Sequence, residues 1–208
     1  MLTPTTTDYR RQILDVARHL LIEDGYKNLS MRKIARQLAC SQGTIYLYFK
    51  NKDDIFYALI DEGTEQLYRD YQTILTAPNA PRTHLEQICR AYIHFGLTNP
   101  GYYETMYILL PLLKKRFSQE QYRRARRFLD LTANTLSNYA AESGRTLSDC
   151  FMEATILWAA MHGLVTLIIA RRIDTRLAQE ILIEQAIARA LNGFCYTITQ
   201  NNLTPTPS

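Results

Sequence analysis

The chain has 208 residues, and 47% of them are hydrophobic, which is enough for a core of ordinary size and excludes an intrinsically disordered protein. The formal net charge is +4, but residues 1–52 carry nine Lys and Arg against four Asp and Glu, whereas the remaining residues carry fifteen against sixteen. The N-terminal quarter is therefore the part suited to phosphate groups, and the rest of the chain gives no reason to expect a polyanion.

The N-terminus predicts a short flexible arm followed by a first helix. The opening residues lack the apolar stretch that a signal peptide requires, so we expect a cytoplasmic protein. Apolar residues then recur at intervals of three and four until Gly25, and glycine is favoured just after a helix end. Helix one is predicted from about Asp8 to Asp24, with an apolar stripe of Ile13, Leu14, Ala17, Leu20 and Leu21.

Two short helices with a tight connection are predicted next. Ser30 and Ser41 are good N-caps for them, and only Ala39 and Cys40 separate the two. The residues expected to face the core are Ile34, Ala35, Leu38, Ile45 and Phe49. This arrangement indicates a helix-turn-helix head over residues 9–60, whose second short helix lies in the major groove of DNA.

Six further helices are predicted, and alternating strand patterns are nearly absent, so the fold class is all-α with about nine helices. Asn51 can cap helix four, which covers 53–76 and connects the head to the rest of the chain. The other helices are expected at about 82–98, then up to Leu110, and at about 118–142, 147–171 and 175–199. The predicted domains are 1–52, which binds DNA, and 53–200, with a disordered tail over 201–208.

One apolar segment tests the expectation of a soluble protein. Ala154 to Ala170 runs for seventeen residues without a formal charge, which is at the short edge for a membrane span, and His162 lies in its middle. No second segment of this kind is present. We therefore expect a helix that is buried on most of its circumference, and the alternative is a membrane anchor.

Residues 30–55 read SMRKIARQLACSQGTIYLYFKNKDDI and resemble the DNA-binding signature of the tetracycline-repressor (TetR) family. That signature is a Ser- or Thr-capped helix with Ile-Ala, a short turn, then Ser-x-Gly-Thr-x-Tyr-x-aromatic-Phe and a Lys that opens the next helix. The matching residues are Ile34, Ala35, Ser41, Gly43, Thr44, Tyr46, Tyr48, Phe49 and Lys52. The family commonly has Gly where this chain has Ala39, so a turn that needs positive φ there would be strained by about 1 kcal/mol.

The resemblance and the side-chain chemistry together give eight residues a role in DNA binding. Arg32 and Gln42 are expected to read bases, because Arg pairs with guanine and Gln with adenine. Gly43 allows close approach of the backbone, and Lys52 adds a charge-assisted phosphate contact. The hydroxyl groups expected to bind phosphates are those of Ser41, Thr44, Tyr46 and Tyr48. For the two tyrosines, packing in the core is the alternative.

The rest of the chain resembles the family less closely. Residues 99–103, Asn-Pro-Gly-Tyr-Tyr, are similar to the start of helix six in many relatives, and Trp158 with His162 and Gly163 resembles the Trp…His-Gly motif of one C-terminal subfamily. The resemblance implies a sensor and dimerisation domain. We expect a homodimer through the helices at about 147–171 and 175–199, which would bury the uncharged run and present two heads to a palindromic operator.

Large amphipathic side chains in this domain could line a pocket for an apolar or aromatic effector that the sequence does not identify. The candidates are Tyr92, Phe95, Tyr102, Tyr103, Met106, Tyr107, Trp158 and His162. An aromatic core is the alternative for the cluster 92–107, and a satisfied core histidine is the alternative for His162.

The cysteines and histidines give no sign of catalysis. Cysteines stand at positions 40, 89, 150 and 195, with no CxxC pair, no metal-ligand spacing and no nucleophile–base arrangement. We therefore expect neither an enzyme nor a bound metal or cofactor. The expected function is a ligand-responsive bacterial repressor, and the alternatives are an activator, or an architectural or membrane-tethered DNA-binding protein that senses no ligand.

Overall fold

The computed structural model describes residues 6–107, 119–142 and 144–200, and no strand occurs within these ranges. The described helices are α1 (Thr6–Asn28), α2 (Met31–Gln37), α3 (Gln42–Tyr46), α4 (Lys52–Leu75), α5 (Pro81–Thr98), α6 (Pro100–Tyr107), α7 (Gln119–Glu142), α8 (Cys150–Ile169) and α9 (Gln179–Gln200). The predicted all-α class with about nine helices is confirmed. Residues 1–5 of the predicted arm, the end of helix six at Leu110 and the tail 201–208 lie outside the described residues.

The predicted N-caps of α2, α3 and α4 are confirmed. The side-chain oxygens of Ser30 and Ser41 accept from the N–H groups of Lys33 and Thr44, at 3.2 and 3.1 Å. Asn51 Oδ1 accepts from the N–H of Asp54 at 2.9 Å. Each cap satisfies a backbone donor that the first helical turn leaves without an intrahelical partner, which explains why the three helices begin where they do.

The last described helix begins later than predicted, at Gln179 instead of about 175. Two other predicted helix boundaries also differ from the observed ones. α1 continues past Gly25 to Asn28, but Gly25 itself has φ 72° and ψ 166°, so the regular helix is interrupted at the predicted end. α8 begins at Cys150 instead of about 147, because the carboxylate of Asp149 caps it by accepting from the N–H of Met152 at 2.8 Å. In both cases a local conformational or capping preference sets the end.

The chain divides into two compact units. The first comprises Met1–Glu65 and Asn99–Ala125, and the second comprises Gln66–Thr98 and Arg126–Ser208. α6 therefore clusters with the head, and α4 begins in the first unit and ends in the second. The predicted domain boundary after residue 52 stays a prediction.

The core of the first unit follows the predicted stripe of α1. The buried side chains that α1 to α3 contribute include Ile13, Leu14, Ala17, Leu20, Leu21, Ile34, Ala35 and Ile45. Leu38, also predicted to face inward, is only half-buried. Arg11 and Arg18 of α1 both pair with Glu62 of α4, so charged groups bridge the two helices beside the apolar core.

In the second unit, α5 packs against α8 and α9. Arg90 of α5 forms a bidentate pair with Glu184 of α9, with N–O distances of 2.9 and 2.7 Å. Leu85, Tyr92 and Leu157 are among the buried side chains of this unit.

α8 is long and apolar enough to cross a membrane by length and composition alone, a test that core helices of soluble proteins also pass. Only 28% of its apolar window is buried within the single chain, so the prediction of a helix buried on most of its circumference is not met by one chain. Exposed apolar side chains on α8 include Met152, Ile156 and Leu167.

Candidate functional site

The turn between α2 and α3 is tightly hydrogen-bonded. The N–H of Ala39 donates to the carbonyl of Arg36 at 3.2 Å, and the N–H of Cys40 donates to the carbonyl of Ala35 at 3.0 Å. These bonds, three and five residues back, form a Schellman motif with Ala39 at its left-handed position, and Ala39 has φ 51°. Ala39, which stands where the family commonly has glycine, therefore adopts a strained backbone conformation, as expected for a turn that needs positive φ.

Helix α3 divides into a core face and an outer face. Ile45 is fully buried, whereas Ser41, Gln42 and Gly43 are exposed, as is Arg32 on α2. Two helices with their apolar residues turned inward thus hold a row of polar and small residues outward. This is the arrangement that a recognition helix needs to approach base edges.

The hydroxyl of Ser41 already has two roles within the protein. It caps α3 through the N–H of Thr44, and its oxygen lies 2.9 Å from the hydroxyl oxygen of Thr44. One of the two hydroxyl hydrogens lies between these oxygens. The pair is therefore held in a fixed position at the start of the helix before any partner is bound.

The two tyrosines predicted to bind phosphates have different surroundings. The side chain of Tyr46 is 50% exposed. Tyr48 is half-buried, and its ring stacks on Tyr9 with centroids 5.9 Å apart. Tyr9 also hydrogen-bonds Cys40, which raises the pKa of the tyrosine. Tyr9 thus links α1 to the turn and to the segment after α3, a role that its place at the start of the predicted first helix did not indicate.

Lys52 is held by the end of α1. Its ammonium group donates to the carbonyl of Tyr26 at 3.3 Å and lies 4.3 Å from the centre of the Tyr26 ring, a cation–π distance. The hydroxyl of Tyr26 donates to Asp53. Burial, and then the hydrogen bond to Asp53, raises the pKa of Tyr26, so the phenol stays protonated. Spatial proximity of residues 26 and 52 could not be read from the sequence.

The second unit contains a cavity of about 10 Å³, room for a single water molecule. The residues that line it are Tyr71, Ile88, Cys89, Tyr92, Phe128, Thr132, Leu157, Trp158 and Met161. All are uncharged, and burial raises the pKa of Cys89 to about 12, so its thiol stays neutral. Of the residues predicted for a pocket, only Tyr92 and Trp158 line this cavity. The other lining residues lie on helices whose contacts with one another cannot be read from helical spacing.

A polar chain runs along one side of this cavity. The indole N–H of Trp158 donates to the hydroxyl oxygen of Tyr92 at 2.9 Å, and that oxygen lies 3.3 Å from Nδ1 of His162. Indole can only donate, so the Tyr92 oxygen accepts from Trp158, and Nδ1 of a neutral His162 can accept the tyrosine proton. Burial lowers the pKa of His162, which favours the neutral imidazole that this arrangement requires.

The predicted aromatic cluster is divided between the two units. Tyr92 and Phe95 are buried in the second unit, whereas Tyr103 and Tyr107 belong to the first, with ring centroids 4.9 Å apart. The side chains of Tyr102 and Met106 lie outside the described residues. Tyr92 is 1% exposed, so its ring packs as a core residue while its hydroxyl faces the polar chain.

Among the described residues, no group of three or more His, Cys, Asp and Glu could hold a metal ion.

Two family models match the chain. Residues 13–59 match the model described as bacterial regulatory proteins of the tetR family, and residues 85–190 match the model described as the tetracyclin repressor-like C-terminal domain. The second match alone covers more than half of the chain. The two matches lie on the head and on the helices that follow it, as the resemblance in residues 30–55 led us to expect.

Three individual proteins illustrate the similarity. A fatty acid metabolism regulator protein of Bacillus subtilis is 49% identical over 51 residues, which are 24% of this chain and 26% of that protein. An HTH-type transcriptional repressor of Mycobacterium tuberculosis is 41% identical over 58 residues, 28% of this chain and 31% of that protein. These alignments span about a quarter to a third of either relative.

The third is a solved structure, the fatty acid degradation regulator FadR from Bacillus halodurans. It is 18% identical, covers 91% of this chain and 97% of its own, and has a TM-score of 0.72. At this identity the likeness concerns the fold alone.

Proposed function

This chain belongs to the TetR family of bacterial regulatory proteins, and we propose that it is a dimeric DNA-binding repressor that a small molecule releases from its operator. The observation that carries the proposal is the outer face of α2 and α3, where exposed polar residues stand opposite a fully buried Ile45. The positive charge of residues 1–52 supports it. We propose that the protein acts in the bacterial cytoplasm.

On DNA, Arg32 and Gln42 read base edges, because both are exposed and neither is needed for the core. The hydroxyl-bearing residues of α3 bind phosphates, and Gly43 lets the backbone approach. Tyr46 is the better placed of the two tyrosines, since Tyr48 is already stacked on Tyr9. The ammonium group of Lys52 binds a phosphate, either while it stays over the Tyr26 ring or after it leaves that ring for the phosphate.

The dimer forms through α8 and α9. Each of these helices has apolar side chains that a single chain leaves in water, including Met152 and Ile156 on α8 and Ile181 on α9. Burying such a face against a second copy of the chain is favourable in proportion to the apolar area buried. In a two-fold dimer, both subunits contribute the same face to the interface. The dimer sets two recognition helices about 34 Å apart for a palindromic site.

The effector is an uncharged apolar or aromatic molecule that enters the second unit beside Tyr92 and Trp158. The cavity there is too small for it at about 10 Å³, so binding has to widen the site. A ligand releases DNA if it binds the widened conformation better than the one that fits the operator. α4 belongs in part to each unit, and we propose that the change passes along it to the head. The similarity to the Bacillus subtilis regulator covers only 24% of this chain and so identifies no ligand.

The test is selection of DNA sites with the purified protein, followed by a screen of small molecules for release. We expect a palindromic consensus that an apolar compound dissociates. Failure to enrich any sequence would contradict DNA recognition, and a compound that binds the protein without changing operator affinity would contradict the release mechanism. An activator would give the same binding results and opposite effects on transcription, whereas an architectural protein would show no ligand response.

A further inference from the structure

Leu47 is the most exposed of the large hydrophobic side chains described, at 83% of its surface. It follows the last residue of α3, next to Tyr46. A leucine left in water forgoes the free energy that burial would provide. An apolar side chain at the end of a recognition helix therefore suggests a partner outside the folded chain.

The direction of this side chain follows from the helix geometry. Leu47 has φ −65° and ψ −26°, so it continues the helical path, and its N–H donates to the carbonyl of Thr44 at 3.3 Å. It lies two residues after the buried Ile45, a rotation of about 200°, and so points away from the core. It lies four residues after Gly43, a rotation of only about 40° beyond a full turn.

Gly43 leaves room beside Leu47 that the fold itself does not require. Its φ is not in the left-handed region, and a Cβ there would meet only Ser41 Oγ, at an ordinary 3.5 Å. The folded chain could therefore accommodate a residue larger than glycine at position 43. On one face of α3, the backbone is therefore uncovered at Gly43, and the exposed apolar side chain of Leu47 lies about one helical turn further along.

We propose that Leu47 contacts the C5-methyl group of a thymine in the major groove and thereby sets a preference for thymine at one position of each half-site. The inference rests on the proposed DNA binding. In the major groove, the thymine methyl is the apolar group that distinguishes a base edge, and an apolar side chain is its complement. Gln42 and Arg32 read polar edges, so Leu47 supplies a kind of contact that they cannot.

The test compares thymine with uracil, which differs only by the methyl group. A duplex carrying the consensus selected by the protein is labelled, each thymine is replaced in turn by uracil, and the dissociation constant is measured by fluorescence anisotropy at one salt concentration. For the wild-type protein we expect one replacement per half-site to weaken binding about fourfold, the value of one buried methyl group. For Leu47→Ala the same replacement should have no effect.

Ile22→Ala is the matched control, because Ile22 is also an exposed apolar residue of the first unit and lies on α1. It should keep the wild-type response to uracil. The Leu47→Gln variant should bind the consensus duplex of the wild-type protein less tightly. In site selection it should lose the preference for thymine at the position that Leu47 contacts. Thermal unfolding of each variant shows whether the head is intact.

Two results would overturn the inference while leaving DNA recognition standing. One is equal sensitivity of the wild type and Leu47→Ala at every thymine. The other is that Leu47→Ala changes self-association in sedimentation and leaves methyl sensitivity alone, which would make Leu47 a contact between protein molecules. Absence of any selected sequence would overturn the proposed function and this inference together.

Discussion

Ala39 holds the turn of the head in a conformation that alanine does not favour. Its φ of 51° is left-handed, and a Cβ in that region costs about 1–2 kcal/mol relative to the right-handed one. The Schellman hydrogen bonds to Arg36 and Ala35 keep it there. The turn is thus specified by its hydrogen bonds and by the packing of α2 and α3 despite the residue at its tightest point.

Replacing Ala39 by glycine should stabilise the protein. We expect Ala39→Gly to raise the free energy of unfolding by about 0.5–1 kcal/mol, since relief of the left-handed strain exceeds the extra chain entropy of glycine. Urea denaturation measures it. Gly144, with φ 67° and no atom near a Cβ, is the matched control: Gly144→Ala should destabilise by a similar amount. No gain for Ala39→Gly would mean that the turn relaxes to another conformation in solution.

Variants of Arg32 and Gln42 should lose base-specific recognition, whereas variants of other basic residues should lose only general affinity for DNA. Replacing either by alanine is expected to relax sequence preference by about 1–3 kcal/mol at one position, if the contact is bidentate. Arg36 is also exposed on α2 and provides a control of equal charge. Arg36→Ala should weaken all sequences alike. Site selection with each variant decides, and an unchanged consensus for Arg32→Ala and Gln42→Ala would remove both residues from base recognition.

Among the elements, the head helices were predicted well because each carries its own local signals. Ser30, Ser41 and Asn51 cap helices within three residues of themselves, and the stripe of α1 has a regular period. Of the residues that line the cavity, the sequence indicated only Tyr92 and Trp158, because the lining comes from four helices distant in sequence. Nothing local to Tyr71 or Phe128 shows that their rings meet with centroids 6.0 Å apart. Leu47 was missed for a related reason, since exposure is a property of the folded surroundings.

The contact between α1 and α6 depends on the absence of a side chain at Gly101. A Cβ there would lie 2.2 Å from Cγ1 of Ile22, a distance that requires the Ile22 side chain or one of the helices to move. We expect Gly101→Ala to destabilise the protein by about 1–3 kcal/mol, the usual cost of overpacking. Gly193→Ala on α9, where no atom lies within 4 Å of a Cβ, should be neutral or stabilising. Thermal unfolding compares the two, and equal effects would show that α1 and α6 are not in close contact.

His162 should make the second unit sensitive to acid. Burial lowers its pKa below the value in the unfolded chain, so the unfolded state binds the proton first, and stability is full above the unfolded pKa of about 6.5 and falls as the pH drops below it. Protonation also opposes the hydrogen bond from Tyr92. Denaturation between pH 7 and pH 5 should show a smaller loss for His162→Gln than for the wild type. Identical slopes for His162→Gln and the wild type would contradict this account.

For the whole molecule, the apolar face of α8 and α9 can be tested for its role in both assembly and DNA affinity. Ile156 is exposed in the single chain and would be buried in the proposed dimer, so Ile156→Glu would place a charge in the interface. We expect sedimentation to show a dimer for the wild type and a monomer for this variant. Because two linked heads bind a palindrome with avidity, affinity for the full operator should fall by about a hundredfold or more, while affinity for a single half-site stays the same.

Leu177 is the matched control for this experiment, because it is also exposed but lies between α8 and α9, outside both helices. Leu177→Glu adds the same charge and should remain a dimer with unchanged operator affinity. A dimeric Ile156→Glu protein would show that assembly uses another surface. A monomeric one with undiminished affinity for the palindrome would show that the two heads bind independently, and then the geometry of the dimer could not be the route by which an effector controls DNA binding.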